Sequence, residues 1–223
     1  MVIGRVVFKF TVVLQSAVAR RGGAVLRSRP GRTEGGSDAM PRNGNGLIDS
    51  GMHRDALARL RLVLGGEPPR WLLVCAADQC LVLFEDGRAS RVYGVSTAAA
   101  GLSGREGSFG TPPGVHRVAR RIGAGQELGT WFDSREPEGV WRPGEPAPRD
   151  DLILTRIITL QGCEEGVNRG QGCDSEARFI YIHGTNHEDR IGEPVSQGCI
   201  RLSNTDVLDL FERVEEGDPV VIV

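Results

Sequence analysis

Trp71-Leu72-Leu73-Val74-Cys75, the link Ala76-Ala77-Asp78-Gln79, and Cys80-Leu81-Val82-Leu83-Phe84 form the stretch that decides the fold. Each apolar run has the length of a strand, and a short link joins them, so the pair reads as a β-hairpin. Asp86-Gly87 supplies a second turn, after which Arg91-Val92-Tyr93-Gly94-Val95-Ser96 reads as a third strand. Working outward, residues 152–160 are rich in β-branched side chains and predict a central strand. Residues 115–118, 179–182 and 219–223 predict further strands, and Thr111-Pro112-Pro113-Gly114 a rigid turn. Residues 134–150 (Pro-, Glu- and Arg-rich) and 161–176 (four Gly, two Cys) read as loops. Val207, Leu208, Phe211 and Val214 lie on one face of a helix over residues 205–214. The expectation is a mostly β domain over residues 70–223 with one helix in its C-terminal region.

The N-terminal third has a different character. Residues 1–19 hold the parts of an export signal: Arg5 and Lys9, the short apolar run Phe10-Thr11-Val12-Val13-Leu14, and the small-residue triplet Ala17-Val18-Ala19. The alternative is a true start at Met40 or Met52. Residues 20–69 read as a flexible linker, largely disordered, because the Arg-, Gly- and Ser-rich part buries too little apolar surface to offset ordering entropy. Within it, Leu57, Leu60 and Leu64 predict a short helix over residues 53–64, ended by Gly65-Gly66 and Pro68-Pro69.

The chain has 223 residues, 39% of them hydrophobic and 25% charged, with a net charge of −2. That balance argues against nucleic acid as a partner, since phosphate binding needs a basic excess. No stretch approaches 18 uninterrupted apolar residues, so there is no confident membrane span. Lys9 is the only lysine, and the other basic residues are arginine, a bias to which we attach no functional weight at this level. Five cysteines leave at least one unpaired. Proximity suggests Cys75 with Cys80 and Cys163 with Cys173; the alternative is five reduced thiols.

The chemistry concentrates near the C-terminus. Cys199 follows Gly198 and precedes a helix start, with Arg201 two residues on, a setting that favours thiolate. The backbone N–H groups around Gly198 and Cys199 offer a place for a developing oxyanion. His183 closes a strand, opens a polar turn, and has the pKa expected of a base for a thiol nucleophile. His187 with His183 and Cys199 falls short of a metal ligand set, so no metal is expected. The chain holds no P-loop and no dinucleotide fingerprint, which fits cofactor-free acyl transfer.

His183-Gly184-Thr185, then Ser196-Gln197-Gly198-Cys199-Ile200-Arg201-Leu202 and Asn204, resemble the signature of the L,D-transpeptidase catalytic domain, the YkuD or ErfK/YbiS family. The resemblance covers residues 70–223 and implies a β-sandwich-like catalytic fold. It implies peptidoglycan stem peptides as donor and acceptor, acylation by carbapenems, and a periplasmic or wall-facing location. Cys199 would form a thioester with the third stem residue and release D-Ala, with His183 as base and the Gly184 carbonyl orienting its ring. Thr185, Ser196, Gln197 and Gly198 would shape the substrate and oxyanion site. Arg201 would bind a carboxylate or support the loop, and Asn204 would cap the following helix. Many members carry a histidine where this chain has Gln197, which can hydrogen-bond but not titrate. The alternatives are hydrolysis of the same thioester, as a carboxypeptidase or endopeptidase, and a non-catalytic wall-binding module.

Overall fold

The hairpin runs are apolar at every position because both of their faces are buried. The computed structural model describes residues 50–223. The export segment expected over residues 1–19, the linker up to residue 49 and the candidate start Met40 lie outside them. In chain order the elements are α1 (Ser50–Leu64), β1 (Arg70–Cys75), β2 (Cys80–Glu85), β3 (Arg88–Gly94), β4 (Gly114–Ile122), β5 (Thr130–Asp133) and β6 (Glu136–Val140). There follow β7 (Ile153–Gly162), β8 (Tyr181–Gly184), a 3₁₀ turn (Glu188–Arg190), β9 (Ile200–Leu202), α2 (Asn204–Arg213) and β10 (Pro219–Ile222). The strands form one mixed sheet ordered β3-β2-β1-β10-β4-β7-β5-β6, with β8 added on β7 and β9 on β8.

Leu72 and Val74 of β1 face the main core, which β7, β8, β9 and α2 close with Leu160, Ile182, Ile200 and Phe211. Trp71, Leu73 and Cys75 face the other way, toward Ala56 and Leu60 of α1. Two-sided burial of this kind gives continuous rather than alternating apolar runs. His53 of α1 stacks on Phe84 at 4.7 Å, and Phe84 on Trp71 at 4.4 Å. Arg59 reaches from α1 to Glu164 at 3.0 Å, and the same carboxylate accepts the Val115 N–H. Residues 50–64 are thus docked on the sheet.

Several elements differ from expectation. Residues 134–150, read as a loop, contain β6, which pairs with β5 as an exposed hairpin. An edge strand with one ladder partner tolerates Pro137 and its glutamates, and this hides it from a hydrophobicity reading. β4 runs to Ile122 through Arg120 and Arg121, because Arg121 donates to the Phe211 carbonyl and lies 4.3 Å over that ring. The strand expected over residues 179–182 starts at Tyr181 and ends at Gly184, which puts His183 inside it.

The bridges expected between Cys75 and Cys80 and between Cys163 and Cys173 are not formed: all five thiols are free. Cys75 and Cys80 are cross-strand partners, yet the Cys75 thiol donates to Asp78 at 3.1 Å. Cys163 packs toward the α1 side, whereas the Cys173 thiol donates to the Arg169 carbonyl within its own loop.

Candidate active site

β8 and β9 run parallel, with Ile182 opposite Ile200 and His183 opposite Arg201. Ile182 and Ile200 point into the main core, so the alternation of a strand sends Tyr181, His183, Cys199 and Arg201 to the other face. Cys199 lies one strand over and one pleat repeat back from His183, a diagonal of about 8 Å between Cα atoms at ordinary strand spacing and rise. A ring and a thiol on one face can meet across such a diagonal. Phe132 of β5 packs on this face with Ile157 and Tyr181, so the β5–β6 hairpin roofs the site.

His183 is buried, and its Nδ1 lies 2.7 Å from the Gly184 carbonyl. A carbonyl only accepts, so Nδ1 carries the proton and Nε2 presents its lone pair. Burial pulls the ring's pKa down to about 4, against the Gly184 carbonyl and Asp151, which both favour the charged form. The ring is therefore neutral near pH 7. Gly184 suits this place because a Cβ there would sit 2.4 Å from the Asn204 Oδ1 and 2.8 Å from the Leu154 carbonyl.

The Cys199 thiol donates to the Phe179 carbonyl at 3.5 Å. The residue keeps some exposure, and its partial burial pushes the thiol up to about 11. The Tyr181 N–H, Arg201 and Arg178 pull the other way, and Asp151 reinforces the rise. Both groups are thus neutral at rest.

The loop before Cys199 is braced by its own polar groups. The Gly198 N–H donates to Ser196 Oγ at 3.2 Å, and that hydroxyl donates to the Cys199 carbonyl at 2.6 Å. Thr111 Oγ1 donates to the Gly198 carbonyl at 3.0 Å and accepts the Ala98 N–H. Gly198 has φ +129°, and a Cβ there would lie 3.0 Å from Ile180. The Gly198 N–H and the Ser196 hydroxyl are thus engaged within the loop that leads into Cys199. The Cys199 N–H has no hydrogen bond among the described residues.

The other expected residues divide. Gln197 is exposed, two residues before Cys199. Thr185 is buried, its hydroxyl accepting the His187 N–H at 3.1 Å and its carbonyl accepting Asn204 Nδ2 at 2.9 Å, so it braces the turn. Asn204 is structural but not the cap. It is the first residue of α2, while Ser203 caps by accepting the Asp206 N–H at 3.1 Å. Arg201 is buried and ion-paired with Asp151, with its Nε left unbonded. His187 binds the Asp150 carbonyl at 2.6 Å, and Asn186 holds Asp150 and Leu152, which together fix Asp151.

Asp151, Arg178 and Arg135 were absent from the sequence reading. Arg178 donates to the carbonyls of Ser103, Gly104 and Gly110, pinning the 103–110 loop beside Gly198. Its charge also favours the Cys199 thiolate. Only its place just before β8 could have flagged it, and the arginine bias of the chain masks that signal. Two cavities lie apart from the sulfur. One of about 530 Å³ lies between Trp141, Thr185 and Asn204, and one of about 630 Å³ between Pro68, Arg70 and Asp218.

A family model described as the L,D-transpeptidase catalytic domain, YkuD, matches residues 69–222. Among curated proteins, "Probable L,D-transpeptidase ErfK/SrfK" of Salmonella typhimurium is 52% identical over 46 residues, 21% of this chain and 15% of that one. "Probable L,D-transpeptidase YbiS" of Escherichia coli is 48% identical over 46 residues, with the same two shares, 21% and 15%. The matched stretch spans from 15% to 27% of the length of the curated relatives it matches. Among solved structures, L,D-transpeptidase 3 from Mycobacterium tuberculosis with a faropenem-derived adduct is 19% identical with a TM-score of 0.44, covering 70% of this chain and 60% of that one. The family match takes in the whole sheet, α2 and both His183 and Cys199, and on that ground the chain belongs to the YkuD family of L,D-transpeptidase catalytic domains.

Proposed function

We propose that this domain transfers the acyl group of a peptidoglycan tetrapeptide stem to an amine through a thioester on Cys199. The observation that carries the reading is the ring of His183, whose Nδ1 proton is fixed on the Gly184 carbonyl and whose Nε2 is a free acceptor on the face that holds Cys199. Thiol and ring are neutral at rest, so the proton moves as substrate binds and the S–C bond forms. Nε2 takes the Sγ proton while sulfur attacks the carbonyl carbon of the third stem residue. The charge that develops on the carbonyl oxygen meets the Cys199 N–H. When the C–N bond breaks, the proton on Nε2 passes to the departing D-Ala nitrogen. An acceptor amine then loses a proton to Nε2, attacks the thioester, and releases the sulfur, which recovers that proton. Gln197, exposed at the mouth, meets substrate by hydrogen bonds and leaves proton transfer to His183. Because such a substrate lies outside the cytoplasmic membrane, the domain works there, facing the wall.

The test is intact mass after incubation with a disaccharide tetrapeptide or a carbapenem. One adduct mapping to Cys199 and absent from a folded Cys199→Ala protein is expected. Undiminished adduct formation in that variant refutes the assignment. Product analysis with and without an amine separates transfer from hydrolysis.

A further inference from the structure

The turn between β5 and β6 consists of Ser134 and Arg135, and both have positive φ, 51° and 81°. A two-residue turn of that shape favours Asn-Gly, since a side chain in the left-handed region costs about 1–2 kcal/mol. The chain accepts that strain twice in order to put an arginine at the hairpin tip. Arg135 Nε donates to the Tyr181 hydroxyl at 2.7 Å, and its guanidinium carbon lies 5.4 Å from the ring centres of both Phe179 and Tyr181. These same two residues also border the sulfur through their backbones: the Phe179 carbonyl accepts the thiol proton, and the Tyr181 N–H favours the thiolate. Phe179 is itself strained, with φ +57°, and its ring is 61% exposed at the mouth of the site.

Arg135 forms no ion pair among the described residues. The carboxylate nearest in sequence on β5, Asp133, is engaged by Arg149 and by the Ser134 hydroxyl. Among the described residues the terminal nitrogens of Arg135 have no hydrogen-bond partner, while the aromatic faces and the Nε bond fix its plane. A planar guanidinium with free N–H edges matches a carboxylate in a two-point contact.

The geometry points to Arg135 as a specificity-determining residue that binds an ionised carboxylate of the acyl donor next to the bond attacked by Cys199. This rests on the reading of Cys199 as nucleophile and deepens it by naming what the donor must carry. Such a contact also draws the β5–β6 roof onto the bound peptide, because the arginine sits at its tip. Charge-assisted contacts weaken as salt rises, so the preference for a carboxylate fades at high ionic strength.

The experiment measures binding in the full chain carrying Cys199→Ala, which cannot be acylated, by calorimetry. The probes are a peptidoglycan tetrapeptide with free carboxylates and the same peptide with its carboxylates amidated. With Arg135 present, the free acid is expected to bind about tenfold or more tightly than the amide, in line with a charge-assisted pair. Arg135→Ala and Arg135→Gln, added separately, are expected to abolish that preference while leaving the amide's affinity within about twofold. Equal loss for both peptides would make Arg135 a structural latch only and overturn the proposal, as would a preference that survives both substitutions. Acylation of the chain with Cys199 intact is followed in parallel. Its failure with the preference intact removes the catalytic reading alone, and acylation without any preference removes this one alone.

Discussion

His116 and His183 begin alike and end differently. Each is buried, each has Nδ1 on a backbone carbonyl, that of Gly114 at 3.1 Å and that of Gly184 at 2.7 Å, and burial lowers each pKa to about 4. His116 completes its bonding through Nε2 with Ser175 Oγ at 2.9 Å. Nε2 of His183 has no hydrogen bond among the described residues. Around His116 the buried side chains are paired inside the fold, Asn168 bonding the Pro113 and Val115 carbonyls as well, although Arg121 Nε farther along β4 is buried without a partner. Around β8 and β9 the bonding is left open at His183 Nε2, at the Cys199 N–H and at Arg201 Nε. Burial and a shifted pKa are common to both regions, so neither marks the site. What separates them is a free imidazole lone pair on the face that holds Cys199, since unpartnered buried nitrogens occur elsewhere too, at Arg121 of β4 and Arg156 of β7.

The sharpest way to break this comparison is to exchange the two rings for amides. His183→Gln keeps the bond to the Gly184 carbonyl but loses the base, and acylation of Cys199 should fall by about 10²–10⁴-fold. Its urea midpoint should change little. His116→Gln should do the reverse, costing about 1–3 kcal/mol through the disturbed buried bonding, while the folded protein acylates at the original rate. Mass spectrometry of the adduct and urea unfolding read the two effects separately. A His116 variant that is stable but inactive would dissolve the distinction.

Acid should act on both histidines together. Each folded pKa lies below the ordinary value of 6.5. Between about pH 6.5 and 4 the unfolded chain thus binds more protons than the folded one, and stability rises with pH across that window. It is fully present above 6.5 and is lost as pH falls through 4. Each ring contributes about 3 kcal/mol at the usual conversion. Urea midpoints from pH 7 to 4 should fall steeply, and less steeply in either Gln variant. Unchanged slopes in both would mean that the rings titrate normally.

The sequence announces the regions where local pattern and tertiary role agree. β1, β2, β7 and β10 are apolar because they are buried, and His183 with Cys199 stand out through their spacing and neighbours. It hides what depends on the partner rather than on the residue. β6 is an edge strand made of Glu136, Pro137 and Glu138, and only its pairing with β5 makes it a strand. Arg135 and Arg178 look like two more arginines in an arginine-rich chain until the fold sets Arg135 against Phe179 and Tyr181 and Arg178 near Cys199. Asp151 closes a polar stretch, and only the bonds from Asn186 and His187 to its neighbours aim it at Arg201. The cysteine pairs suggested by proximity fail for a related reason, since chain distance says nothing about which way a thiol turns.

Ser203 and Asn204 show the same division at the scale of two adjacent residues, and they give the smallest effects. Both are cap-type residues at the start of α2, and either could cap it by composition. Ser203, with φ −60° and ψ 155°, does so. Asn204 instead accepts from Thr155 Oγ1 at 2.7 Å and donates to the Thr185 carbonyl at 2.9 Å and to Glu188 at 2.7 Å. It ties the kink of β7 and the 3₁₀ turn to the backbone that follows the Gly184 carbonyl, the group that orients the His183 ring. Asn204→Ala should therefore cost about 1–2 kcal/mol, from hydrogen bonds that are only partly buried, and should also slow acylation, because the ring loses its fixed orientation. Ser203→Ala should cost about 1 kcal/mol of stability and leave acylation unchanged. Thermal unfolding paired with the adduct-formation rate reads both. Equal effects of the two substitutions on that rate would mean that α2 as a whole, and not the Asn204 side chain, holds the histidine end of the site in place.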